Sequence, residues 1–156
     1  NREHEIVGES SKVIALILDN YKRAEYHDQL SGILLPLLKT EFRNIASLNV
    51  AIMKRLVNSF EIRTKMMLSS ELTYKRSGNG QDKILEICKY LGASSYINPE
   101  GGREIYSKST FREAGIDLKF FKPEVIDDRY ISVIHDIASK GLEYVRKIVI
   151  SGGEAL

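Results

Sequence analysis

The sequence is poor in the residues that carry covalent or metal chemistry. Its 156 residues include one cysteine, no tryptophan and three prolines. A lone cysteine cannot form an internal disulfide, and no cluster of Cys, His and Asp has the spacing of a metal site. Cys88 lies at helical spacing with Leu85 and Leu91. We therefore expect it to be a small core residue and not a reactive thiol.

The sequence also lacks a long apolar run and a dominant charge. The longest apolar stretch, residues 33–38, contains Pro36 and is too short for a membrane span or a signal peptide. The net charge is +2, from 23 basic and 21 acidic residues. This balance is far from the strongly basic surface of a dedicated nucleic-acid-binding protein. We expect a cytoplasmic protein with neither a membrane span nor a nucleic-acid partner.

What the sequence does contain is the composition of a globular protein. A chain of this length fits one domain, and its 43% hydrophobic and 28% charged residues argue against disorder. It begins at Asn1, with no initiator methionine and no strand-like opening segment. We expect a single domain or a domain fragment, with a helical part over residues 1–62 and an α/β part over residues 63–156.

The first half shows helical periodicity in three segments. Ser10 or Ser11 is the predicted cap of the first helix. Its expected apolar face is formed by Val13, Ile14, Ile17, Leu18 and Tyr21. The second helix is predicted over residues 28–39, bent or broken at Pro36. The third, over residues 45–60, has the clearest periodicity and is expected to bury Leu48, Ile52, Leu56 and Phe60.

The second half alternates between strands and helices. Strands are predicted over residues 64–68, 95–98 and 116–121, and the intervening helices over residues 81–91 and 108–114, ended by Gly92 and Gly115. Two further helices are predicted over residues 131–139 and 142–150. This order indicates βαβ units with a parallel sheet. The predicted fold class is α/β, a helical first half packed with a small parallel sheet in βαβ order.

Parallel sheets bind ligands beyond the carboxyl ends of their strands, which selects three loops. The candidate substrate-binding residues in the first two loops are Ser69 and Ser70, with Glu71 as the candidate catalytic residue, followed by Gly101, Gly102 and Tyr106. The third loop contains Lys122 and Pro123. The paired glycines are either a plain turn or a place where the backbone approaches a bound group closely.

Gly78 and Gly80 precede the predicted helix over residues 81–91, and Lys83 lies in its first turn. Free backbone N–H groups at a helix start suit an anion, so Lys83 is a further candidate binding residue. The stretch lacks the spacing of a phosphate loop. The alternative is a mobile loop in which Asp82 stabilises the helix start.

None of the histidines suggests a catalytic group. His135 and Asp136 are neighbours on a predicted helix and point about 100° apart. His27 lies at a helix start and His4 near the beginning of the chain. We expect each histidine to be structural or to lie on the surface.

Several segments taken together resemble the WbqC-like protein family. Residues 20–26 are similar to that family's "nYkkapyf" stretch, residues 69–72 to its "SSEL" segment, and residues 80–96 to its "g..kt..Ll.ic..lGad.Y" pattern. Gly101 and Gly102 followed by Tyr106 are similar to its "gg..Y" block. The family's opening segment with its His-Gln-Pro motif has no counterpart in this sequence.

The resemblance implies a role in the synthesis of bacterial surface polysaccharides such as O-antigen, as a transferase of glycyl or aminoacyl groups to a nucleotide-linked amino sugar. Glu71 would be the general base if burial raised its pKa. Lys75, Arg76 and Lys83 would balance a diphosphate. The expected partners are a nucleotide sugar and an aminoacyl donor. The alternative is a non-catalytic module that recognises a partner protein or glycan precursor. The sequence indicates no particular cofactor and no metal.

Overall fold

The computed structural model describes residues 9–122, 132–152 and 154–155. In chain order the elements are α1 (Glu9–Asn20), α2 (His27–Leu38), α3 (Ile45–Ser59), α4 (Gly80–Tyr90), β1 (Ser95–Pro99), α5 (Lys108–Glu113), β2 (Asp117–Lys122), α6 (Val133–Lys140), α7 (Leu142–Ser151) and β3 (Glu154–Ala155). Short 3₁₀ turns lie at Ser69–Glu71 and Glu100–Gly102. Pro123 and Ile131, which sequence analysis placed in a loop and at a helix start, fall outside the described residues.

The chain forms two compact units. The described part of unit 1 comprises residues 9–64 and 132–151, and that of unit 2 comprises residues 65–122, 152 and 154–155. The elements described in unit 1 are helices, and α6 and α7 come from its second chain segment. Unit 2 contains the sheet.

The core of unit 1 is built around α2. Leu30, Ile33, Leu34 and Leu37 follow the three- and four-residue steps of one helical face and are all buried. They pack with Ile14 and Leu18 of α1, Ile137 and Ala138 of α6, and Val145 of α7. The Tyr26 N–H also donates to the Ala138 carbonyl at 3.0 Å. The last two helices therefore complete the core that the first helices begin.

Some details of the predicted helices were wrong. The side chain of Val13 is 55% exposed, and Ser10 and Ser11 both lie inside α1, so neither is its cap. Of the two alternatives at Pro36, a bend or a break, the break does not occur, since α2 continues through Pro36 to Leu38. In the predicted third-helix stripe only Phe60 is buried. Its other three members (Leu48, Ile52 and Leu56) are only partly buried, because they pack at the margin of the unit 1 core.

The turn that ends α3 places a non-glycine residue in the left-handed region. Glu61 has φ 56°. The Ile62 N–H donates to the Val57 carbonyl at 3.0 Å, the long hydrogen bond of a Schellman motif. Arg146 of α7 donates from Nε to the Phe60 carbonyl at 3.1 Å and from Nη2 to the Glu61 carboxylate at 2.6 Å. These two hydrogen bonds stabilise a turn in which the left-handed position is usually occupied by glycine.

We expect Glu61→Gly to be more stable than Glu61→Ala by about 1 kcal/mol. Both variants lose the ion pair with Arg146, but only alanine retains the cost of a left-handed backbone, about 1–2 kcal/mol for an L-residue. Urea denaturation of both variants and the parent chain measures the difference. Equal stability of the two variants would show that the turn relaxes out of the left-handed region.

Unit 2 contains a βαβ arrangement. β1 pairs in parallel with β2, from Ser95 opposite Asp117 to Pro99 opposite Phe121, and α5 lies between the two strands in sequence. β3 pairs antiparallel with the end of β2. The buried core consists of Leu85, Cys88, Phe111, Ile116, Leu118 and Phe120. Burial raises the pKa of the Cys88 thiol, in agreement with its predicted structural role. The predicted α/β class is confirmed.

The predicted first strand was wrong. Residues 62–68 form no strand, and Met66, Met67 and Leu68 are 39%, 42% and 37% exposed. Their apolar character suggested a buried strand, but no other described segment pairs with them. The sheet therefore has two parallel strands in place of the expected three, and its third strand comes from residues near the chain end.

Candidate functional site

The carboxyl end of β1 carries a compact aromatic and polar group, which we call the β1-end cluster. It consists of Tyr96, Asn98, Gly102, Tyr106 and Phe111. Tyr96 and Asn98 alternate along β1 and so share one face of the strand. The Tyr96 ring stacks on Phe111, with centroids 5.6 Å apart and planes 10° apart. Tyr106 meets both rings edge to face, at 6.0 and 6.1 Å.

The polar side chains of this cluster form hydrogen bonds within β1. The Tyr96 hydroxyl donates to Asn98 Oδ1 at 2.9 Å, and Asn98 Nδ2 donates to the Pro99 carbonyl at 3.1 Å. Burial, with a smaller effect of the neighbouring Tyr106, raises the pKa of Tyr96 to about 12. Tyr96 is therefore a protonated hydrogen-bond donor at neutral pH, and its donation fixes the Asn98 amide.

The two glycines of the predicted site differ. Gly102 is buried, and a Cβ there would overlap the Asn98 amide and lie 3.1 Å from Cδ2 of Tyr106. Gly101 is exposed, and a Cβ there would meet nothing within 4 Å. The space beside Gly102 is thus filled by the protein itself. The groups close to Gly102 are thus side chains of the same unit, and the approach of a bound group to either glycine stays a prediction.

The predicted Ser69, Ser70 and Glu71 form an exposed 3₁₀ turn. Arg76 Nη2 donates to the carbonyls of Ser69 at 3.2 Å and Ser70 at 2.9 Å, and its guanidinium lies over the Tyr74 ring. Arg76, expected to balance a diphosphate, is therefore engaged with the main chain. Glu71 is exposed, and the described residues do not provide the burial that a general base would need.

Lys83 is exposed in the first turn of α4, whose N-terminus is closed by a capping box. Asn79 Oδ1 accepts from the Asp82 N–H, and Asp82 Oδ2 accepts from the Asn79 N–H, both at 3.0 Å. The Asp82 carboxylate thus occupies the place where an anion would bind. This favours the alternative interpretation, in which Asp82 stabilises the start of the helix. Gln81 Oε1 accepts from the Ser107 N–H at 2.7 Å and ties this turn to the residue after Tyr106.

The structure thus joins some of the predicted residues and leaves others apart. Gly102 and Tyr106 are in contact, and Gln81 links the helix turn that carries Lys83 to the same loop. Among the described residues no hydrogen bond or ion pair connects the turn Ser69–Glu71 to the β1-end cluster. A site that includes both remains a prediction.

Two cavities lie elsewhere in the described structure. One, of about 660 Å³ in unit 1, is lined by Asn58, Glu61, Ile62, Arg63 and Arg146. The other, of about 340 Å³ in unit 2, is lined by Ser94, Lys108, Arg112, Gly115, Ile116, Asp117 and Leu118. None of the predicted site residues lines either of them. Sequence analysis did not select the residues that line the two cavities, nor Asn98. Asn98 could have been selected, because it lies two residues after Tyr96 on the same face of a predicted strand.

The histidines that are described make intramolecular contacts in unit 1. His135 Nδ1 lies 3.3 Å from the Tyr21 hydroxyl, and His27 Nδ1 lies 3.1 Å from the Tyr21 carbonyl oxygen. Buried Asp136 pairs with Lys140 at 3.2 Å. These contacts agree with the structural role expected for His27 and His135, whereas His4 falls outside the described residues.

Within the described ranges no group of three or more His, Cys, Asp or Glu residues is arranged to hold a metal ion. None of the helices described combines the length and apolar character that crossing a membrane requires. In comparisons with known proteins, the model of the WbqC-like protein family matches residues 2–132. No curated protein and no solved structure matches the chain.

Proposed function

The chain belongs to the WbqC-like protein family, and from this premise we propose that it acts in the biosynthesis of bacterial surface polysaccharides such as O-antigen. The proposed activity is the transfer of a glycyl or other aminoacyl group to a nucleotide-linked amino sugar. The observation that carries the proposal is the β1-end cluster. It brings hydroxyl, amide and aromatic groups together at the carboxyl end of a parallel strand, where α/β sheets bind ligands.

The chemistry of this cluster suits a sugar. Tyr106 is half-buried, so part of its aromatic ring remains accessible to an apolar sugar face. The amide of Asn98 is held in one orientation by Tyr96, and oriented polar groups at the margin of an aromatic surface give specificity. The cluster would therefore bind the amino sugar.

The transfer step requires a proton acceptor. The sugar amine attacks the acyl carbon, a C–N bond forms, and the bond between that carbon and its carrier breaks, so that the carrier leaves with the electron pair. In the proposal the amine's proton passes to the Glu71 carboxylate, and Ser69 and Ser70 orient the donor. Because Glu71 is exposed, bound substrate has to enclose it before it can act as an efficient base.

The test compares Glu71→Gln with Glu41→Gln, a change at an exposed carboxylate of unit 1. We expect both variants to melt within a few degrees of the parent chain, since exposed substitutions cost little stability. Only Glu71→Gln should lose turnover, by at least tenfold, with an amino-sugar nucleotide and an aminoacyl donor as substrates. Ser70→Ala should weaken substrate binding by a similar factor. Equal turnover of the two Gln variants would remove Glu71 from the mechanism.

A second candidate function is recognition of a glycan precursor or protein partner without catalysis. Two observations favour it: Glu71 is exposed, and the thiol of Cys88 is buried and so is not available as a nucleophile. Mass spectrometry of the reaction mixture separates the two functions. Binding of the amino-sugar nucleotide without any acylated product, over a panel of aminoacyl donors, would establish the recognition role.

A further inference from the structure

The cavity in unit 2 lies between α5 and the beginning of β2. Ser94 and Asp117, which mark the amino ends of β1 and β2, line one side, and Lys108 and Arg112 of α5 line the other. Its volume of about 340 Å³ is at the lower end of the range for small-molecule sites, about 300–1,000 Å³. None of the site residues predicted from the sequence lines this cavity.

The cavity has a surplus of positive charge. Lys108 and Arg112 are four residues apart on α5 and so lie on the same face of the helix. Among the described residues neither has a carboxylate within ion-pair distance. The Asp117 carboxylate in the lining is paired with Lys119 at 3.5 Å. Two cations at this spacing repel each other, and a bound anion would relieve that repulsion.

Packing restricts one of the two cations. Lys108 Nζ lies 5.7 Å from the centroid of the Phe120 ring, which is 2% exposed. Arg103 Cζ lies 5.0 Å from the same centroid, but Arg103 does not line the cavity and pairs with Glu100 at 3.4 Å. A cation held against an aromatic ring loses less side-chain entropy when a ligand binds.

We propose that this cavity binds a phosphate group of a small ligand through Lys108 and Arg112, with the Ser94 hydroxyl as a further donor. A dianion matches two cations that have no carboxylate partner among the described residues better than a carboxylate does. The planar guanidinium of Arg112 can donate two parallel hydrogen bonds to phosphate oxygens. The site does not depend on the transfer reaction or on Glu71, because it is formed by other residues of unit 2.

The test is isothermal titration of the full chain with pyrophosphate, in the parent protein and three variants. We expect Arg112→Gln and Lys108→Gln each to weaken binding at least tenfold. Arg103→Gln is the matched control, because it removes a cation from the same Phe120 ring but not from the cavity, and its affinity should stay within twofold of the parent. All three side chains are exposed, so circular dichroism should show folded proteins.

Two further titrations, with inorganic phosphate and with a nucleoside diphosphate, identify the source of the phosphate. Tighter binding of the nucleoside diphosphate than of pyrophosphate, lost in Arg112→Gln, would support a nucleotide ligand. Equal affinities would support recognition of the phosphate alone. The proposal is overturned if none of the three ligands binds saturably, if the cavity variants bind as the parent does, or if Arg103→Gln loses as much affinity as Arg112→Gln.

Discussion

Replacing Phe111 by alanine should lower the free energy of unfolding of unit 2 by about 3–5 kcal/mol, the usual cost of truncating a buried phenylalanine. Phe111 is 0% exposed and belongs to a core of only six buried residues. It also stacks on Tyr96 and meets Tyr106 edge to face. Its loss therefore leaves a cavity and removes the support of the β1-end cluster at the same time.

Urea denaturation followed by tyrosine fluorescence measures this loss, since the cluster contains two tyrosines. Leu16→Ala is the matched control, because Leu16 lies in α1 of unit 1 and is 61% exposed. It should change the free energy of unfolding by no more than about 0.5 kcal/mol. A loss below about 1 kcal/mol for Phe111→Ala would mean that the core of unit 2 closes around the missing ring.

The second large effect is expected at Gly102. Gly102→Ala should cost about 1–3 kcal/mol of stability, the range for overpacking, because the new methyl group would overlap the Asn98 amide and crowd the Tyr106 ring. It should also weaken binding at the β1-end cluster at least tenfold, since Asn98 has to move. Thermal melts and titration with an amino-sugar nucleotide measure the two effects.

Gly101 provides the adjacent control. A methyl group at Gly101 would enter open space, so Gly101→Ala should be neutral or slightly stabilising and should bind ligand normally. The double variant Asn98→Ala, Gly102→Ala makes room for the new methyl group. It should be more stable than the sum of the two single changes predicts. Strict additivity would contradict the proposed overlap.

The elements that sequence analysis located best are those with a local signal. α4 and α5 each end just before a glycine with positive φ, Gly92 at 63° and Gly115 at 74°. The parallel strand β2 has apolar alternation, and β1 is bounded by turn residues on both sides. Residues 64–68 have the composition of a strand, but a strand also needs a partner, and pairing is a long-range property. β3 is two residues long and is defined only by its contact with β2.

The same distinction applies to the site. The rule that ligands bind at strand ends selected Gly102 and Tyr106, which lie in contact in the structure, because it depends only on strand direction. Sequence analysis could not show that Arg76 folds back on the carbonyls of its own loop. Nor could it show that a side chain added at Gly102 would overlap its neighbours, whereas one added at Gly101 would not. Both depend on where distant atoms come to lie in three dimensions.

The division of unit 1 into two chain segments has a consequence for synthesis on the ribosome. α1, α2 and α3 emerge before the core residues Ile137, Ala138 and Val145 that cover α2. The two parallel strands of unit 2 lie within residues 65–122, which emerge in between. The core of unit 1 therefore cannot close before Val145 has been synthesised. α2 therefore keeps part of its apolar face uncovered until α6 and α7 have been synthesised, and over that interval this face is open to aggregation and to chaperones.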